Sequence, residues 1–157
     1  LIRGSLEQAE LAFTAGGGQS LLRLDVSQWT RGSRIESAGG IGMTSFGALE
    51  STTIQAGVSE TVTGLPSAAD AFVANAEIGR VIVRGSGRSN DFNIAASALG
   101  VVTLTDVAEN NGGNPFGLAS TALRVVQLRN PGGNIFWRQG NDPAVLDLPG
   151  DGEIRLL

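Results

Sequence analysis

Three stretches decide the fold: Ile78-Gly79-Arg80-Val81-Ile82-Val83, Leu99-Gly100-Val101-Val102-Thr103-Leu104 and Leu123-Arg124-Val125-Val126-Gln127-Leu128. In each, a large apolar residue is followed by apolar residues three and five positions on. The same template fits Leu21, Leu24 and Val26, and it fits Ile41, Thr44 and Phe46 with Gly42 in the glycine slot. Val58, Thr61 and Thr63 fit it poorly. The first positions 21, 41, 58, 78, 99 and 123 stand 20, 17, 20, 21 and 24 residues apart, a degenerate period near 20. A fixed period of this length marks a repeat architecture.

A second element precedes each first one. Phe92-Asn93-Ile94-Ala95-Ala96 comes before Leu99, and Phe116-Gly117-Leu118-Ala119-Ser120 before Leu123. Phe72-Val73-Ala74-Asn75, Ile54-Gln55-Ala56-Gly57 and Ile35-Glu36-Ser37-Ala38-Gly39 hold the same place before Ile78, Val58 and Ile41. Short alternating runs rich in β-branched residues read as strands, and no 3.6-residue periodicity is long enough for a helix. A unit of two strands in about 20 residues cannot bury its apolar side alone, whereas copies stacked in register share one core. The expectation is an all-β, parallel β-solenoid (a β-helix, right-handed) of six to seven coils. It would be a single domain over 1–157, with a partial first coil at 1–20, regular coils over 21–128 and a closing coil over 129–157. The rival is an antiparallel sandwich or barrel, whose strands need not resemble one another. Here they do.

Ile-Gly-x-Val-x-Val alternating with Phe-x-Ile-Ala-Ala, and ending in Gly152-Glu153-Ile154-Arg155-Leu156-Leu157, resembles the final β-solenoid coils of large repetitive bacterial extracellular proteins, adhesin-like or autotransporter-passenger-like. The resemblance covers most of Leu21–Leu157 and belongs to an architecture, not to one activity. It implies surface display, secretion or assembly into a fibre, and it transfers no catalytic residue.

Composition narrows the chemistry. Charged residues make up 17% of the 157, and there is no His, Cys, Tyr or Lys. The commonest general base, the thiol nucleophile and the Schiff-base former are therefore missing. All eleven basic residues are Arg, dispersed from Arg3 to Arg155, so no basic stripe suits a phosphate backbone. No apolar run reaches the roughly 18 to 20 residues that span a bilayer as a helix.

Against that background the function expected is non-catalytic. The chain reads as a subunit or terminal domain of an extracellular fibre, surface layer or adhesin, partnered by itself or by sibling chains. A carbohydrate-binding or carbohydrate-cleaving module on the same scaffold, meeting surface glycans, is the alternative. It would use a row drawn from Asp25, Glu36, Glu50, Glu60 and Glu77 with Arg80 or Arg84. Contact candidates are Leu6, Leu11 and Phe13, which read as an incomplete first coil, and Trp29, Phe136 and Trp137, because aromatics are enriched at contact hot spots. Asp142, Asp147, Asp151 and Glu153 form a loose calcium candidate, the sole cofactor considered. Asp147-Leu148-Pro149-Gly150-Asp151-Gly152 has Asp at EF-hand positions 1 and 5 and Gly at 6, but Pro at 3. The simpler reading is a polar turn, as it is for Asn90-Asp91 and Asn110-Asn111-Gly112-Gly113-Asn114.

Overall fold

The computed structural model describes residues 1–15, 17–85, 87–140 and 150–157, and the backbone alone for 145–147. In chain order the strands are Leu6–Glu7 (β1), Glu10–Phe13 (β2), Gln19–Arg31 (β3), Arg34–Ser37 (β4), Gly40–Ala56 (β5), Glu77–Val83 (β6), Asn90–Ala96 (β7), Ala98–Thr105 (β8), Phe116–Ser120 (β9), Ala122–Asn130 (β10), Gly133–Arg138 (β11), Val145–Asp147 (β12) and Gly152–Leu156 (β13). A single 3-10 turn at Ala69–Ala71 is the one helical element among the described residues. The chain is all-β, as its short alternating runs require.

The strands form one mixed sheet curled into a half-barrel, and β5 lies at its centre. The first half of β5 begins an arm in which β3, β5, β6, β8 and β10 run parallel. The second half begins another in which β2, β4, β5, β7, β9 and β13 run parallel. Each arm ends in an antiparallel strand, β11 against β10 and β12 against β13. The residues equated by sequence stand opposite one another. Leu21, Ile41, Ile78, Leu99 and Leu123 share one register, and Leu11, Ile35, Ile54, Ile94, Leu118 and Ile154 share another.

The glycine slot explains the unusual spacing of the template. Ile78 pairs with Leu99 and Arg80 with Val101, so Gly79 and Gly100 face each other as an extra step. That step switches the parity of the strand, which moves the next inward residue to the third position instead of the second. The backbones meet closely there: a Cβ on Gly79 would lie 2.8 Å from the carbonyl oxygen of Gly42.

Between the arms lies one apolar core. Val26, Phe46, Val83, Leu104 and Leu128 face Ile35, Ile54, Ile94 and Leu118, and the rings of Phe92 and Phe116 meet edge to face at 5.3 Å. Trp137 is 1% exposed and closes the core at the β11 side. A corner separates the two halves of each long stretch. Gln8, Gly32, Ser51 and Asp91 stack there, all with φ between 45° and 53°.

This is not a clear stack of six to seven coils. Between Ala56 and Glu77 the chain carries no strand and departs from both ladders. Val58 and Phe72, which the period of the sequence places as repeat copies, bridge each other in an antiparallel sense instead. Pro66, Gly64 and the polar run around them supply no apolar column that could extend a ladder. The segment forms a strap over the outer face of the second arm, pinned by Arg155, whose Nη1 donates to the carbonyls of Leu65 and Pro66 at 3.2 Å each. Ala95 and Ala119 point outward in their strands yet are fully buried.

Candidate functional site

Two features of the surface stand out, an open strand edge and a cavity. Among the described residues, Gln19–Leu24 of β3 pairs as a strand with β5 alone, because the contact of Ile2 with β3 reaches no further back than the Asp25 carbonyl. Leu22 on this edge is 76% exposed. Leu6, Leu11, Phe13 and Leu21 are half-buried against the core at the same end. At the opposite end of the same arm, β11 pairs among the described strands with β10, and Phe136 projects outward, 60% exposed. Of the aromatic contact candidates, Phe136 is therefore the one that faces out. Trp29 is half-buried, with the guanidinium carbon of Arg31 4.1 Å above its ring centroid and Gly87 against its edge. Arg31 in turn pairs with Glu50 at 2.7 Å.

The cavity, about 650 Å3, opens where the base of the strap meets the ends of β2, β4 and β5. Phe13, Val58 and Val73 give it apolar walls, and Glu36, Gln55 and Glu60 supply its polar groups. Arg34 binds Glu36 at 2.5 Å and reaches the Oε1 of Gln55 at 3.5 Å. The hydrogen bond that Arg34 donates to Glu36, with Glu10 and Glu60 nearby, holds the guanidinium above its ordinary pKa. Gln55 is 2% exposed, and its Nε2 is buried with no acceptor. A buried amide donor left in that state is uncommon. Reasoning from sequence does not single out Gln55 as a site. Its signal is positional: it replaces the small Ala95 and Ala119 of the same outward column.

The remaining candidates disperse. Asp142 lies outside the described residues, as does the side chain of Asp147. Asp151 accepts backbone N–H bonds from Asn111 at 2.5 Å and Gly113 at 3.0 Å, which lower its pKa. Glu153 is paired with Arg155 at 2.5 Å. Among the described residues no cluster of three or more metal-ligating side chains forms. Asp91 accepts from Ser51 Oγ at 2.8 Å and from Asn111 Nδ2 at 3.1 Å, so the Asn-rich turns join into a polar ladder along the corner. Of the row of acids, Glu36 and Glu60 meet in the cavity and the others stand apart from them. Asp25 sits on the outer face of the first arm between Arg23 at 2.5 Å and Arg84 at 3.4 Å, while Glu36 lines the cavity of the second arm and Glu50 lies on the corner. The hydrogen bond from Arg23 holds the Asp25 carboxyl below its ordinary range.

No family model matches this sequence, and neither a curated protein nor a solved structure matches it.

Proposed function

We propose that the chain is a non-catalytic structural module, a subunit or terminal domain of an extracellular fibre, surface layer or adhesin, joined to copies of itself or sibling chains end to end. In this reading the two parallel ladders are coils of a short β-solenoid and the strap is an insertion between coils. The observation that carries it is the pairing of Leu22 and Phe136, large apolar side chains exposed at opposite ends of one arm. Each stands on a strand at one end of the arm, and edge strands are templates for another strand. Opposite ends that differ make a head-to-tail contact, which grows into a filament where the rotation does not close. The extracellular setting rests on the likeness of the strand motifs to surface-protein coils.

Sedimentation and negative-stain microscopy over a concentration series test the proposal. The wild type forms linear assemblies, and Leu22→Lys and Phe136→Lys each return it to a 16.1 kDa particle. Both side chains are exposed, so neither change should unfold the chain. A wild type that stays monomeric at its highest soluble concentration, or variants that assemble as it does, would overturn the reading.

A further inference from the structure

We propose that the cavity beneath the strap binds a neutral saccharide. Gln55 Nε2 is a buried donor without an acceptor. Glu36 offers an oxygen beyond the one engaged by Arg34, and Glu60 stands exposed on the rim, so the carboxylates seek donors. A guanidinium or ammonium ligand supplies donors alone and leaves Gln55 unanswered. A carboxylate supplies acceptors alone and meets the charge of Glu60 and the free oxygen of Glu36. A hydroxyl both donates and accepts, so adjacent hydroxyls satisfy the amide and a carboxylate together.

Position supports the same chemistry. Glu36 and Gln55 are cross-strand partners in register, which sets their backbones about 5 Å apart on one wall. Ser59 and Thr61, whose hydroxyls lie 2.9 Å from each other, add further groups of both kinds along the strap. Phe13, Val58 and Val73 give an apolar surface for the C–H face of a sugar ring. The volume falls in the range of small-molecule sites. Val73, 69% exposed on the strap, is a large apolar side chain away from both ends of the stack, and it borders this cavity. Phe13 brings the cavity close to the Leu22 end, but neither Leu22 nor Phe136 lines it, so the two proposals are tested by different residues.

The experiment is a titration of the 15N-labelled full chain followed through the side-chain amide resonance of Gln55, which is assigned by its loss in Gln55→Leu. Cellobiose, maltose and chitobiose are the probes, with methylguanidinium and acetate as donor-only and acceptor-only controls. The expected result is a saturable shift of that resonance with at least one disaccharide and none with either control. Gln55→Leu and Glu60→Gln each weaken binding at least about tenfold, read from backbone shifts around Gly57–Thr61, and Glu60→Gln is an exposed change that leaves the fold in place. Three disaccharides without effect, a stronger response to methylguanidinium or acetate, or variants that bind like the wild type would overturn the proposal.

Discussion

A Cβ at Gly100 would run into the carbonyl group of Gly79, and one at Gly79 into that of Gly42. Neither glycine is there for a left-handed backbone; each is there because successive strands approach too closely for any side chain. Both neighbours are backbone atoms held in a ladder, so they cannot turn aside as a flexible side chain would. Gly100→Ala should therefore cost about 1–3 kcal/mol, the usual penalty for overpacking. Gly132→Ala is the control, because a Cβ there meets nothing closer than Glu109 Oε1 at 4.0 Å. Urea midpoints of the two variants check this. Equal midpoints would mean that the sheet opens at the glycine step more easily than its geometry implies. The same residue type also makes the fold legible, since aligning Ile78-Gly79 with Leu99-Gly100 by sequence gives the register in which their strands pair.

At the scale of elements, sequence reveals what repeats and conceals what does not. The columns through Ile41, Ile78 and Leu99, and through Ile54, Ile94 and Leu118, are readable because burial forces the same apolar type at each level. The strap mimics another repeat. Val58 and Phe72 are apolar at nearly the right spacing, yet nothing in their neighbours distinguishes a strand that joins a ladder from a segment that crosses it. The cavity is illegible for the same reason, because Gln55 acquires its character only when the strap lies over it. What holds the strap down is local: Arg155 reaching two carbonyls, and Gly57 accepting from Val73 at 2.9 Å and Ala74 at 3.2 Å. Hydrogen bonds from a charged donor are worth about 1.5–3 kcal/mol. Arg155→Ala should lower the opening free energy of the strap amides Ser59 and Val73 by that amount and leave the β5 amides unchanged. Hydrogen exchange measures both at once. A uniform loss across β5 would instead mean that strap and sheet open as one unit.

For the whole molecule, charge decides what acid does. The chain carries 15 carboxylate side chains and 11 Arg, with no His to titrate near neutrality. Asp25 on the first arm and Asp151 at the far end of the second both have depressed pKa values, the one held by Arg23 and the other by the N–H groups of Asn111 and Gly113. A depressed carboxylate binds its proton less readily in the folded state than in the unfolded one. Its contribution is therefore fully present above the ordinary carboxylate pKa of about 4 and is lost as pH falls through the lower folded value. Protonation also removes every negative side chain and leaves the Arg charges to repel one another. The melting temperature should hold steady from neutrality down to about pH 5 and fall steeply below it. Asp25→Asn should melt lower than the wild type at neutral pH, because Arg23 and Arg84 lose their common partner, and the two curves should converge in acid. Added salt should recover part of the acid loss through screening while leaving the neutral-pH difference between the variants largely in place, since Asp25 is 8% exposed. Parallel melting curves across the whole pH range would mean that the Arg23–Asp25–Arg84 group contributes nothing to holding β3 against the sheet.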